Sequence, residues 1–176
     1  MSAPSPAADT VTINSLPASI GGEVTVSAES INLNTGVTST GNQTYNGAVA
    51  LGASVNLQGS AITVNGTVNL GANTLTIANA GASATTGAIS GVVGILTKSG
   101  TGTLTLSGAN TYTGVTSINA GTLSINTLAN VSGGASALGA PTSAANGTIA
   151  IGSTTTGATL AYTGSGSTSN RVINLA

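Results

Sequence analysis

The feature that constrains this chain most is a recurring pair of aliphatic residues separated by one residue. Such an alternation is typical of a β-strand with one buried face. From Val55 to Leu75 successive pairs begin about seven residues apart, which leaves no room for helices between strands. The pairs run along the chain: Val11/Ile13, Val24/Val26, Ile31/Leu33, Val49/Leu51, Val55/Leu57, Ile62/Val64, Val68/Leu70, Leu75/Ile77, Leu104/Leu106, Leu123/Ile125, Ile149/Ile151 and Ile173/Leu175.

Turn-forming residues separate these pairs. Gly, Asn and Ser tolerate tight turns, and Asn65-Gly66 and Asn146-Gly147 are two examples. Three strands with their turns make one coil of about twenty residues, a length found in repeat architectures. The sequence therefore predicts an all-β fold, a parallel β-helix (β-solenoid) with three short strands per coil. We expect Leu104 and Leu123 to face inward and Thr105 outward.

The composition limits the function. The 176 residues include no His, Cys, Trp or Phe, and the charged residues are Asp9, Glu23, Glu29, Lys98 and Arg171. A net charge of −1 creates no field that would attract nucleic acid, so we expect no nucleic-acid partner. The most apolar stretch, residues 87–96, is shorter than the roughly 20 residues of a membrane helix, so we expect no membrane insertion by this segment.

The sequence offers little catalytic or metal-binding chemistry. Without His no Ser-His-Asp triad can form, and there is no His or Cys to bind zinc. Glu23 and Glu29 could approach one another on adjacent turns, but a solvated face is the simpler interpretation. Residues 91–99 resemble a phosphate-binding loop faintly, yet Thr97 replaces the glycine required before Lys98, which favours a buried strand ending in a polar turn. We expect no catalytic, cofactor-binding or metal-binding residues and no enzyme activity.

The tyrosines are the candidate contact residues. Tyr45, Tyr112 and Tyr162 are the only aromatic residues of the chain. If exposed, they could stack on sugars or on a protein partner. The alternative, which we favour, is that they fill gaps at the corners of the coils.

The chain shows a weak internal repeat. Gly41-Asn-Gln-Thr-Tyr-Asn-Gly47 aligns with Gly108-Ala-Asn-Thr-Tyr-Thr-Gly114, which predicts that one turn recurs several coils later. Around residues 126–146 the chain is rich in Ala, Ser and Gly, and we expect a longer lateral loop there.

We expect residues 1–9 to form a flexible leader and residues 10–176 a single solenoid section. The chain ends on Arg171-Val-Ile-Asn-Leu-Ala176, which resembles a strand entering another turn. An uncapped coil exposes its apolar core and its strand edges. This predicts a section of a longer protein, or a subunit whose end docks on a copy of itself.

One segment resembles a known family. Gly102-Thr-Leu-Thr-Leu-Ser-Gly-Ala-Asn-Thr-Tyr-Thr-Gly-Val-Thr-Ser-Ile-Asn-Ala-Gly-Thr-Leu-Ser-Ile125 resembles the passenger-associated repeat of bacterial autotransporters, although Val115 stands where the family usually has a second glycine. The resemblance is strongest from Lys98 to Ile125 and extends more loosely to Leu175. Further upstream the chain is similar to large secreted haemagglutinin-like adhesins. The resemblance implies a right-handed coil and a non-enzymatic stalk segment of a cell-surface or secreted adhesin fibre.

Two other functions stay open at this point. The first is an extracellular filament whose identical subunits stack end to end through uncapped coils. The second is a face of outward threonines that binds ice or a glycan. The candidates for that face, Thr10/Thr12, Thr101/Thr103/Thr105 and Thr111/Thr113, are not repeated at one position of the coil. The expected partners are neighbouring coils or identical subunits, and host or cell-surface glycans.

Overall fold

The computed structural model describes residues 9–153 and 156–175, so the predicted leader lies outside the described part except for Asp9. Apart from one four-residue helix, the regular elements of the described residues are all β-strands, which confirms the predicted all-β class. No helix among them is long and apolar enough to cross a membrane. The elements are β1 (Thr10–Ile13), β2 (Val24–Leu33), β3 (Val37–Thr38), β4 (Gln43–Leu51), β5 (Val55–Gly59), β6 (Ile62–Val64), β7 (Val68–Asn69), β8 (Thr74–Asn79), β9 (Ala82–Thr85), β10 (Ile89–Ser90), β11 (Ile95–Ser99), β12 (Thr103–Leu106), β13 (Thr116–Ile118), β14 (Gly121–Ile125), α1 (Ala144–Gly147), β15 (Ile149–Ile151), β16 (Ala158–Tyr162) and β17 (Ile173–Leu175).

The described strands form two parallel sheets of ten and seven strands. The first sheet follows the order β1-β2-β4-β6-β9-β12-β14-β16, with β7 and β10 attached beside β4. The second follows β17-β15-β13-β11-β8-β5-β3. Each strand therefore pairs with the equivalent strand of the coil before it and the coil after it. This topology is that of the predicted β-solenoid.

The coil has the predicted length. Most hydrogen bonds between successive coils join residues about 19 to 22 positions apart, as in the pairs Asn42/Glu23, Asn34/Asn14 and Asn73/Leu51. The coil from β14 to β16 is longer, because Gly121 pairs with Ala158. The strands β6, β7 and β8 make one coil of three strands, and β9, β10 and β11 make the next. In β2 and β4 the first two strands of the coil are continuous. The prediction of three short strands thus describes the middle coils, and the first coils use a long and a short strand.

Stacked aliphatic side chains fill the interior. In the first sheet β12 pairs with β14 so that Leu104 lies on Leu123 and Leu106 on Ile125, and all four are buried. Thr105, between the two leucines of β12, is exposed. The predicted faces of Leu104, Leu123 and Thr105 are confirmed. Each such side chain contributes about 1.5 to 3 kcal/mol on full burial, and no single coil can bury its own apolar face.

Glycine is required where successive coils approach closely. A Cβ atom at Gly47 would overlap the carbonyl oxygen of Ala28 in the preceding coil. Gly100 has a φ of +77°, and a Cβ there would lie 2.5 Å from the carbonyl oxygen of Asn79. The glycines at these turns therefore set how tightly the coils stack.

The two segments of the weak internal repeat do not occupy equivalent positions, so the prediction of one recurring turn is wrong. Tyr45 lies in β4 and pairs with Val64. Tyr112 lies one side further along its coil, where its backbone N–H donates to Ile89 O at 3.3 Å. The segments look alike because each places an amide and a tyrosine two residues apart on the inward side, Gln43 with Tyr45 and Asn110 with Tyr112. An amide and a tyrosine two residues apart can occupy inward positions on any side of the coil.

Candidate functional site

Tyr45 is fully buried and cannot contact a surface partner. Its hydroxyl donates to Gln43 Oε1 at 3.0 Å, and burial raises the pKa of the phenol well above its usual range. Gln43, also fully buried, donates from Nε2 to Val37 O at 3.0 Å, to Ser39 Oγ at 3.1 Å and to Gln58 O at 2.7 Å. The pair fills the core and provides hydrogen bonds to a corner of the coil, as the alternative interpretation had it.

Tyr112 is fully buried too, beneath the chain that leaves the regular coil between β14 and β15. Its hydroxyl shares a hydrogen bond of 2.8 Å with Thr116 Oγ1, and burial raises the pKa of Tyr112 to about 12. Asn110 holds the overlying chain: its Nδ2 donates to Ala137 O at 2.7 Å. Leu138 packs into the same core and is buried. Residues 126–148, which we call the excursion, connect β14 to β15 outside the regular coil. Asn110 and Tyr112 therefore hold the excursion against the solenoid.

Arg171 fastens the same excursion from the next coil. Its Nε donates to Gly147 O at 2.7 Å and its Nη1 to Leu138 O at 2.6 Å. The side chain is only 8% exposed, and among the described residues its Nη2 has no hydrogen-bond partner. Asn170 adds a further link, since its Oδ1 accepts from Val131 N at 2.8 Å. The lone arginine of the chain is thus a structural clamp.

Tyr162 alone among the tyrosines keeps an exposed face, with 40% of its surface accessible. Its hydroxyl lies 2.7 Å from Ser167 Oγ. It pairs with Ile125 in the first sheet. A contact between Tyr162 and a partner stays a prediction.

Lys98 occupies an inward position that the sequence analysis did not identify as a site. It stacks between Ile77 of the preceding coil and Ile118 of the next, and it is fully buried. Its Nζ donates to the carbonyl oxygens of Ser99, Gly100 and Ala120 at 2.6, 2.8 and 3.3 Å. Desolvation lowers the pKa of the ammonium to about 8. The three N–H groups of the ammonium donate to three carbonyl oxygens from two successive coils, so Lys98 links these coils at this corner.

The phosphate-loop pattern is explained by this position. Residues 91–94 form the turn between β10 and β11, and Lys98 lies inside β11 with its ammonium in the protein interior. The segment is the buried strand ending in a polar turn that the sequence analysis favoured.

Glu23 and Glu29 do not lie on adjacent turns, so the structure does not bring the two carboxylates together in the way the sequence analysis considered and disfavoured. Glu23 immediately precedes β2 and Glu29 lies within it, so both belong to one extended segment of a single coil. Six extended residues span about 20 Å, too far for two carboxylates to act on one bond. Among the described residues no group of three or more His, Cys, Asp or Glu side chains is arranged to hold a metal ion.

Outward threonines are more regular than the sequence analysis inferred. In the first sheet Thr25 pairs with Thr44, Thr44 with Thr63, and Thr105 lies in the same column beyond Ala84. Of the threonines named in the sequence analysis, Thr105 lies in this column, between Ala84 and Ser124. Thr10 pairs with Ser30 and Thr12 with Asn32, so these named positions do not repeat threonine, as expected. Ala84 interrupts the column, and Ser124 and then Ala161 continue it.

The structure adds a surface groove, which we call the corner groove, where the second sheet turns toward the first. Its volume is about 540 Å³, and its lining residues come from four successive coils, from Thr40 to Thr101. The lining includes the long polar side chains of Asn56 and Gln58, which we call the rim, and the short side chains of Ala78 and Ala80, which we call the floor. None of its lining residues is charged. Sequence reasoning missed it because the residues come from four coils and meet only through the register.

The fold and these sites describe a class: a β-solenoid with a polar, nearly uncharged surface and no clustered catalytic groups among the described residues. The family model of the passenger-associated-transport-repeat matches residues 96–125, the segment that includes Lys98, Asn110 and Tyr112. The predicted resemblance to bacterial autotransporter passengers is confirmed.

A curated relative is also an autotransporter. The chain is 37% identical over 115 residues to the adhesin BmaC autotransporter of Brucella suis biovar 1 (strain 1330). The match covers 64% of this chain and 3% of the relative, so the chain spans a small part of that adhesin's length. No solved structure matches the chain. The repeat and the relative both show that this chain is similar to bacterial autotransporter passengers.

Proposed function

We propose that this chain is a non-enzymatic structural segment of a β-helical adhesin at the bacterial surface or secreted from it, and that its coils serve as a stalk. The observation that carries the proposal is the match of residues 96–125 to the passenger repeat within a continuous β-solenoid. Stacked coils with a continuous aliphatic core give a stiff rod whose length grows with each coil. Such a rod suits the task of holding adhesive regions away from the cell.

The two basic side chains of the chain are consistent with this structural role. The charged side chains Lys98 and Arg171 are both buried and bind backbone carbonyls, so they contribute to the coils rather than to a reaction. The alternative of a filament of identical subunits stacked end to end gains no support from the fold or from the adhesin relative.

The test is display of the chain on a bacterial surface through an autotransporter translocator. We expect the displayed segment to resist external protease. An adhesive domain fused to its outer end should attach the cells to host-cell layers better than the same domain displayed without the segment. The Leu104→Asp variant, which places a charge in the core, should be degraded and should lose that gain in adhesion, whereas Thr105→Asp should behave as the wild type. A protease-resistant segment that does not improve adhesion through the fused domain would contradict the role as a stalk.

A further inference from the structure

We propose that the corner groove binds an extended, uncharged oligosaccharide that lies along the solenoid axis. This inference deepens the proposed adhesin function by naming the class of ligand. The groove has a volume of about 540 Å³, which lies in the range of ligand sites. It crosses the coils that contain β3, β5, β8 and β11, so its long direction follows the stacking direction of the coils.

The shape of the groove comes from a column of outward residues that becomes small in its middle. Gln58 pairs with Ala78, and Ala78 pairs with Ser99. Ala80 continues the floor at the corner and is exposed. A long polar side chain on one coil thus faces two short ones on the next coils, which leaves room for a ligand above Ala78 and Ala80.

The amides at the rim are free to bind. Elsewhere on the outside of the coils asparagine amides bond to the adjacent coil, as Asn46 does to Ser27 Oγ at 3.0 Å and Asn65 to Asn46 Oδ1 at 2.7 Å. Asn56 and Gln58 are exposed, and within the described part of the chain neither side chain makes a hydrogen bond to protein. Both amides therefore offer donors and acceptors to a ligand that carries hydroxyl groups.

The absence of available charge selects among ligand classes. The nearest cation, Lys98, lies beneath the groove, where all three N–H groups of its ammonium are taken by the carbonyls of Ser99, Gly100 and Ala120. It offers nothing to a sulfated or phosphorylated polymer. An apolar peptide would find few apolar side chains in a lining of amides, hydroxyls, alanine and glycine. A neutral sugar chain matches a lining of amides and hydroxyls.

The periodicity favours a polymer over a single sugar. Successive strands lie about 4.8 Å apart, so four coils extend the groove over about 14 Å along the axis. The polar side chains of Gln58 and Ser99 lie two coils apart, on either side of Ala78, so a chain of pyranose units contacts more polar groups than one sugar does. Contacts with several units, each weak, then add up to measurable binding.

Isothermal titration calorimetry on the full chain tests the proposal. The probes are uncharged hexasaccharides of glucose, mannose and N-acetylglucosamine, the corresponding monosaccharides, and a heparin hexasaccharide as the charged comparison. We expect at least one uncharged hexasaccharide to bind and the monosaccharides and heparin not to bind. Ala80→Leu, whose larger side chain fills the floor of the groove, should lower the affinity about tenfold. Gln58→Ala should lower the affinity about fivefold, which corresponds to the loss of about one hydrogen bond. Ala72→Leu, an exposed alanine at a different corner, is the matched control and should bind as the wild type.

Three results would overturn the inference: no binding of any uncharged hexasaccharide to the folded chain, binding of heparin alone, or equal affinities of the wild type and Ala80→Leu. The proposed stalk function is judged separately, by the protease resistance of the displayed segment and by adhesion through the fused domain. If the stalk test succeeds but the sugars do not bind, the groove inference fails and the stalk function stands. If the sugars bind but the segment does not improve adhesion through the fused domain, the stalk function fails and the groove inference stands.

Discussion

Replacement of Lys98 by Met tests the role of the buried ammonium in joining two coils. Met keeps a long unbranched side chain in the inward column between Ile77 and Ile118, so the packing changes little. The substitution removes the donor that serves the carbonyls of Ser99, Gly100 and Ala120. It also removes a charge from the protein interior. The two effects oppose each other, and their balance depends on pH.

The magnitudes follow from the site. Loss of the three hydrogen bonds that the charged ammonium makes to these partly buried carbonyls costs about 5 kcal/mol together, at somewhat under 2 kcal/mol each. Removal of the charge relieves the desolvation that lowers the pKa of Lys98 from 10.5 to about 8, which corresponds to about 3 kcal/mol near neutral pH. We therefore expect Lys98→Met to lower the free energy of unfolding by about 2 kcal/mol at pH 7.

The pH dependence distinguishes this account from a simple packing defect. Between about pH 8 and pH 10.5 the unfolded chain holds the Lys98 proton and the folded protein has lost it, so the stability of the wild type rises with pH. From about pH 8 to about pH 9.5 the rise should be about 1 to 2 kcal/mol, and it should be absent in Lys98→Met. Urea unfolding followed by circular dichroism at each pH measures both. Parallel pH curves for the two proteins would refute the reasoning.

Three further predictions concern the core, the stacking and the clamp. Leu104→Asp should lower the free energy of unfolding by more than about 4 kcal/mol because it buries a carboxylate. Thr105→Asp should change the free energy of unfolding by less than about 1 kcal/mol because position 105 is exposed. Thermal unfolding compares the two variants, and equal stabilities would contradict the assigned faces. Gly47→Ala should cost about 1 to 3 kcal/mol because the new Cβ forces two coils apart, measured in the same assay. Arg171→Gln should speed amide hydrogen exchange within residues 126–148 while the strands before them stay protected, and unchanged exchange there would contradict the clamp.

Much of the fold could be predicted because the core follows a local rule. Pairs such as Leu104/Leu106 and Leu123/Ile125 alternate with polar residues, and all four are buried. A period of two identifies a half-buried strand without knowledge of its partner. The spacing of the pairs then sets the length of the coil.

The parts that could not be predicted depend on register or on distant contacts. Lys98 follows Leu96 by two residues and so belongs to the inward face, but a lysine is ordinarily assigned to the solvent. Its burial is possible only because three carbonyls from two coils surround it. Arg171 binds Leu138 O, a partner 33 residues away, and nothing local to either residue signals that contact.

The measurement that tests the account most directly is disulfide formation between engineered cysteines, since the natural chain has none. Thr105 and Ser124 face one another on successive coils, at the interstrand spacing of about 4.8 Å that a disulfide tolerates. We predict that Thr105→Cys with Ser124→Cys forms an intramolecular bond readily. Thr105→Cys with Thr122→Cys, which is displaced by two residues from the register, should not. Efficient bonding of the displaced pair, or none in the matched pair, would contradict the parallel β-solenoid and the sites that depend on its register.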